Sequence, residues 1–470
     1  MVFSEFSFLF VLLPLFLALD FIVRQNTTSR NLILIAISLI FYAWGGGRYF
    51  YILVVYGVLN YIFGLVLNRA ISASKNRLAL LLLVFFISLN VFGLVYFKYL
   101  YWLVSCLKEL FENYAAVANL NVKDRELPLG ISFFTFHAIS YLVDIYRKEI
   151  DSCRSVSKFL TYFFMFPHLV AGPIVRYKHV EKELTLRVED GELFAYGMSR
   201  FLLGINKKIL IANSVAPIAS MAFTCNPETL SSSYLWLGAI AYTLQIYFDF
   251  SAYSDMAIGL AAMAGFRFHE NFNSPYLASS MQDFWRRWHI SLSSWLRDYV
   301  YIPMGGSRCS QIKIYLNLCV VFLLCGLWHG ANITFIAWGI YNGLLLVIER
   351  LGFAKLLSRA PVVVQRIYLI FAVVIGWVFF RADSLDHAMA YLTRMFEFQS
   401  GANFLVGEIN LIVLMLGVVL SLIDFKKFRL STSFEAKVNL YSYGLNFLLF
   451  FVSIIIIYFG ARNPFIYFNF

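Results

Sequence analysis

The chain has 470 residues, of which 60% are hydrophobic and only 14% charged. An ordinary soluble domain carries about 25% charged residues, so this composition, with a mean hydropathy of +0.72, excludes a soluble enzyme and indicates a polytopic membrane protein. The formal charge of +11 does not point to nucleic acid: no RNP, zinc-finger or basic-zipper pattern accompanies it, and Lys and Arg gather in short loops as the positive-inside rule predicts.

Apolar runs are predicted at roughly 7–23, 31–46, 49–67, 78–97, 127–145, 158–175, 195–222, 233–265, 313–328, 332–348, 366–380, 404–423 and 439–459. Crossing a bilayer core of about 30 Å takes about 20 apolar residues. Several runs are shorter, and others are interrupted by Gly or Pro. The expected fold is therefore an all-α bundle of about ten to twelve crossings, completed by re-entrant or in-plane helices. No internal repeat or low-complexity linker divides it, so residues 1–470 read as one integral-membrane domain. The first run, Phe6 to Val23, follows Glu5 and lacks a basic n-region, and so reads as an uncleaved span, not a signal peptide. Arg24 and Arg30, then Arg69, Lys75 and Arg77, outweigh the lone Arg48 between them. This places the N-terminus outside the cytoplasm, with the later loops at Lys355, Arg359 and Arg366 and at Lys426, Lys427 and Arg429 inside. The last span then ends outside, near Arg462.

Two polar stretches break the apolar pattern: Arg176 to Glu192, expected in the membrane plane, and Arg267 to Lys313. The six cysteines form no CxxC pair and no metal-ligand spacing, so packing is expected of them and not disulfides. His269-Glu270 is not followed by a second histidine at zinc-site spacing, and no metal is expected.

Four segments carry groups able to do chemistry. In Met165 to Arg176, Pro167 and Pro173 break any helix, and His168 between them reads equally as a site residue or a structural one. In Gln245 to Asp255, Asp249 and Asp255 sit in an apolar run, where unpaired carboxylates are costly. They fit a proton-coupled transporter or a polar scaffold around a reaction chamber. In Phe284 to Tyr299, a helical reading puts Trp285, Trp288 and His289 on one face, with Arg286 and Arg287 elsewhere. An interfacial amphipathic helix would explain the arginines but not the histidine. Arginines beside aromatics also suit a phosphate-bearing, purine-containing donor.

The fourth segment is Cys325 to Asn332. From Ile314 to Ile348 there is no Lys, Arg, Asp or Glu, yet His329 stands in the middle. Ionisable groups are rare in such runs and usually do chemistry or transport. The 15 residues from Lys313 to Leu327 give about 22 Å of helix, short of a full crossing. Gly326 and Gly330 allow a break or a close helix contact, and short glycine-interrupted segments point to a site within the membrane. A core histidine bonded to a backbone carbonyl is the plain alternative; Trp328, Asn332 and the two glycines favour function. No GxSxG elbow, Walker loop or GxGxxG is present.

Taken in order, these segments resemble the membrane-bound O-acyltransferase superfamily. Within it they resemble the bacterial branch of alginate O-acetylases and peptidoglycan O-acetyltransferases, with the D-alanyl transfer protein of teichoic acid synthesis more distant. The resemblance runs through Met1-Val2-Phe3-Ser4, Phe41-Tyr42-Ala43-Trp44, Leu129 to Phe133, Pro167 to Pro173, Tyr247 to Ser251, Trp285 to Asp298, Leu327-Trp328-His329-Gly330 and Asn463 to Phe468. It implies a multi-pass helical bundle in the bacterial inner membrane, narrowed at a central waist between two funnels. It implies that His329 is catalytic and that His289 is also required. Acetyl-CoA is the implied cytoplasmic donor, with no permanently bound cofactor. A periplasmic SGNH-type partner is the implied acceptor, passing the acetyl group to a polysaccharide such as alginate or peptidoglycan. Trp285, Arg286, Arg287 and Trp288 are then expected on the donor side, Trp328 and Asn332 in positioning, and Asp249 and Asp255 around the chamber. The rival readings are a transporter of a lipid-linked sugar or acyl group, transfer to a lipid or protein acceptor, and a non-catalytic scaffold for polysaccharide export.

Overall fold

The computed structural model describes residues 3–111, 123, 126–187, 190–424 and 440–459. The expected motif at Asn463 to Phe468, and the loop basic residues Lys426, Lys427 and Arg429, lie outside these. The chain divides into two compact units, Met1–Gly197 with Leu260–His269, and Met198–Gly259 with Glu270–Phe470. Among the described residues the regular structure is helical, apart from an isolated bridge between Leu230 and Ala402.

The first unit is built on α1 (Leu13–Ile22), α2 (Thr27–Gly46), α3 (Phe50–Ser72), α4 (Asn76–Lys98), α5 (Ile131–Tyr146) and α6 (Val156–Phe164). The α2 helix starts where Asn26 accepts a hydrogen bond from the Ser29 amide at 3.1 Å, an N-cap that satisfies one orphan donor. On α4, Ala79, Leu83, Phe86 and Asn90 are buried at helical spacing while Leu81, Val84, Phe85 and Phe92 are exposed. A helix that is apolar on its outer face too is suited to lipid. Asn60 of α3 and Asn90 of α4 exchange reciprocal side-chain bonds of 3.0 Å, the polar pairing that joins helices where lipid offers no partner. The segment expected to span 158–175 does not: α6 ends at Phe164, and Pro167 opens a separate short helix, Phe166–Leu169. Asp20 and Arg30 form a buried pair at 2.6 Å.

Helix α7 (Gly191–Asn206) begins in the first unit; the second carries its later part, the Lys207–Ala212 π-turn, α8 (Asn213–Thr224), all but the last turn of α9 (Ser232–Met263), α10 (Met281–Arg287), α11 (Ile290–Leu296), α12 (Gln311–His329), α13 (Ile333–Ile348), α14 (Val362–Arg381), α15 (Leu385–Phe396), α16 (Glu408–Ser421) and α17 (Leu440–Tyr458). Among the described residues six helices are long and apolar enough to cross a membrane: α2, α3, α4, the continuous Gly191–Thr224 stretch, α12 and α14. Shorter apolar helices follow at Phe8–Ile22, Ile131–Tyr146, Glu408–Ser421 and Gly444–Tyr458. The protein is a multi-pass, all-α membrane protein.

The tightest pairing in this unit is the α12–α13 hairpin. A Cβ on Gly326 would lie 2.2 Å from the Phe335 carbonyl oxygen, and one on Gly339 would lie 2.4 Å from the Phe322 carbonyl oxygen. The two backbones therefore touch, which is the use small residues have between membrane helices. Gly326→Ala should destabilise the fold by about 1–3 kcal/mol, the range for overpacking a filled contact. A lower thermal midpoint in detergent would register it; an unchanged midpoint would mean the hairpin spreads without cost.

Candidate functional site

His329 is the last residue of α12, so the expected break falls after it and α12 runs unbroken through Gly326. The imidazole is 4% exposed and walled by rings: Trp328 at 4.9 Å, Phe380 at 4.9 Å, Trp338 at 5.2 Å and Phe335 at 6.4 Å between centroids. Gly330 leaves no room for a side chain, since a Cβ there would sit 2.2 Å from the Phe335 ring. Asn332 caps the next helix: its side chain accepts from the Thr334 amide at 3.0 Å and donates to the Asp383 carbonyl at 3.0 Å. Asn332 thus fixes the hairpin turn, and its side-chain amide is already engaged there.

His289 is reached by a different local design. Ser280 caps α10 by accepting from the Asp283 amide at 3.1 Å. The buried Glu349 carboxylate accepts from the Met281 amide at 2.6 Å and the Gln282 amide at 3.0 Å, with Tyr368 donating to it at 3.2 Å. A carboxylate at a helix N-terminus satisfies orphan N–H groups and complements the dipole. The helix then stops at Arg287, and His289 takes φ 42 and ψ 55, a left-handed conformation. Trp285, Trp288 and His289 therefore do not share one helical face, as the spacing had suggested, because the backbone turns between Trp288 and His289. Such a conformation costs a non-glycine residue about 1–3 kcal/mol and clusters at functional sites. The ring is 1% exposed. It meets Phe250 edge-on at 4.6 Å and Trp328 at 5.9 Å. Burial pushes this imidazole down to about 3, so the ring is neutral at ordinary pH.

Trp328 is flanked by both histidines. Trp285 packs on Phe322 and Trp338, and Trp288 on Phe284, Phe272 and Trp377. Both imidazoles are buried among these aromatics, at 1% and 4% exposure. That combination suits proton transfer at a carbonyl centre from which water must be excluded. Trp338, Trp377 and Phe380 were not among the residues expected here; in an apolar run their spacing cannot be told from that of lipid-facing rings.

The remaining candidates are held elsewhere. Phe250 and Ser254 share the face of α9 that meets His289 and Asn271, whereas Asp249 and Asp255 project from its other sides. Asp249 pairs with Lys208 at 2.5 Å, both nearly inaccessible. Asp255 is bracketed by Arg200 at 2.7 Å and Lys207 at 2.6 Å, and Arg200 also holds Glu270 at 2.5 Å. Arg287 pairs with Asp283 at 2.8 Å, while Arg286 is exposed. In the first unit His168 lies against His137 at 4.4 Å, and its Nε2–H donates to the Tyr162 carbonyl at 2.7 Å. Among the described residues no group of three or more His, Cys, Asp or Glu could hold a metal ion, and all six cysteines are unbridged.

Comparison with known proteins identifies the family. The model of the membrane-bound O-acyltransferase family, MBOAT, matches residues 77–385, a range that contains both histidines. The chain is 44% identical to the probable alginate O-acetylase AlgI of Azotobacter vinelandii over 401 residues, covering 85% of this chain and 78% of that protein. It is 34% identical to the peptidoglycan O-acetyltransferase of Helicobacter pylori over 428 residues, covering 84% and 80%. Its likeness to the teichoic acid D-alanyltransferase of Bacillus subtilis is 28% over 231 residues, covering 46% and 58%. The chain belongs to the membrane-bound O-acyltransferase family, and it is an O-acyltransferase.

Proposed function

We propose that this protein is an O-acetyltransferase of the bacterial inner membrane. It takes the acetyl group of cytoplasmic acetyl-CoA and delivers it to a serine hydroxyl of an SGNH-type partner on the outer side, which passes it to a surface polysaccharide of the alginate or peptidoglycan kind. The observation that carries the reading is the pair of buried imidazoles flanking Trp328, together with relatives whose names are those of alginate and peptidoglycan O-acetylases.

The transfer is an ester exchange. The acceptor oxygen attacks the thioester carbonyl, its proton passes to His329, the C–S bond breaks, and the proton leaves with the CoA sulfur. Imidazole suits both directions of that transfer. His289 relays the proton or supports charge on the carbonyl oxygen. The aromatic wall limits hydrolysis of the thioester by keeping water out. Trp285, Arg286, Arg287 and Trp288 are assigned to the donor side, the exposed Arg286 being the cation available to a phosphate.

The test is reconstitution of the full chain in vesicles with acetyl-labelled CoA on one face and a purified SGNH acceptor on the other. Label appearing as a serine ester on the acceptor is the expected result. Label that crosses the membrane still attached to CoA or as free acetate, without ester formation, would favour a transporter and overturn the reading.

A further inference from the structure

The segment that presents His289 is clasped by one residue, Asn271, 18 positions earlier. Asn271 is fully buried. Its backbone carbonyl accepts from the Ile290 amide at 2.9 Å. Its side-chain oxygen accepts from the Ser291 amide at 3.1 Å and the Ser291 hydroxyl at 2.9 Å, and lies 3.2 Å from His289 Nδ1. Its side-chain nitrogen donates to Ser254 Oγ at 3.0 Å.

This set of partners favours one assignment of protons. The Ser291 backbone amide can only donate, so the atom facing it is the amide oxygen of Asn271 and not its nitrogen. That oxygen can only accept. An unprotonated Nδ1 at 3.2 Å would set two lone pairs against each other, and the Ser291 hydroxyl has a single proton, which goes to the nearer Asn271 oxygen and not to Nδ1 at 3.4 Å. Nδ1 therefore carries the ring's proton. His289 Nε2 has no hydrogen-bond partner among the described residues and is buried.

We propose that Asn271 is the positioning residue that fixes His289 in the Nδ1–H tautomer, so that Nε2 meets the reacting groups as a proton acceptor. The group that hydrogen-bonds one ring nitrogen sets the role of the other. The inference rests on the acyltransferase reading for its catalytic consequence, but the tautomer itself does not depend on it.

The experiment uses the full chain with 15N-labelled histidine in lipid vesicles, with the His289 signals assigned by their loss in His289→Asn. Asparagine tolerates the left-handed backbone at that position. A protonated Nδ1 and an unprotonated Nε2 are expected, with a mixture of tautomers in Asn271→Leu. A proton on Nε2 in the wild type, or an unchanged pattern in Asn271→Leu, would overturn the proposal. In the transfer assay Asn271→Leu should lose about 10- to 100-fold, the usual cost of removing an orienting partner. Asn271→Asp, which keeps an acceptor oxygen, should recover most of that loss. Equal losses in the two variants would overturn the positioning role. If instead His289→Asn turns over like the wild type while the tautomer is as expected, it is the catalytic assignment of His289 that fails. Should Asn271→Leu not accumulate, Asn271→Ser, which can donate and accept but reaches less far, serves in its place with the same expected order.

Discussion

His329→Ala should lower acetyl transfer by about 10²–10⁴-fold, the contribution a positioned general base makes, with the amount of folded protein unchanged. The size follows from where the ring sits. Four aromatic side chains surround it, and none of them can take up a proton at neutral pH. The rings that bound the space left by the imidazole carry no group that could replace it as a base. His329→Gln, which fills more of the volume and offers hydrogen-bonding atoms without basicity, should be nearly as impaired. Turnover near the wild-type rate in either variant, at matched protein levels, would remove His329 from the chemistry.

The second large effect concerns the buried charges. Asp249→Ala should cost about 3–5 kcal/mol, because it removes the carboxylate that a buried ammonium faces. Lys208 and Asp249 are 2.5 Å apart with side chains 1% and 2% exposed. The combined Lys208→Met and Asp249→Leu replacement should recover most of that loss, since a buried pair exchanged for well-packed apolar groups is often neutral. Thermal unfolding in detergent measures both. An Asp249→Ala protein that melts like the wild type but is inactive would instead mark Asp249 as a site residue, which is what a proton-coupled transporter requires.

What was legible in the sequence was whatever chemistry stands out against an apolar background. His329 did so, because nothing else in its run is charged. The glycines beside it were readable as a close helix contact, and Gly326 makes one. His289 was legible as a residue but not in its conformation. The i, i+3, i+4 spacing of Trp285, Trp288 and His289 implied a helix, and the turn that ends it depends on Asn271, too far along the chain for any local period to register. The partners of Asp249 and Asp255 were hidden for a similar reason. Lys207 and Lys208 are adjacent at the start of the π-turn Lys207–Ala212, yet they serve different carboxylates. Glu349 followed directly on the run read as 332–348 and gave no sign that it would cap a helix nearly 70 residues earlier. Asn332, placed by proximity among the positioning residues, spends its side chain on the hairpin turn.

The backbone contact at Gly326 and Gly339 has a mechanical consequence. With carbonyl oxygens resting where side chains would be, α12 and α13 have no compliant layer between them, and sliding one along the other would drive atoms into overlap. The hairpin is expected to move as a single stiff strut, with His329 at its tip held in one relation to Phe335 and Trp338. An opening beside His329 is then expected from displacement of α14, which supplies Phe380, or of the turn that carries His289. Slow amide exchange along the hairpin, beside faster exchange in those two neighbours, is the signature of such a division between a rigid anvil and its moving jaws.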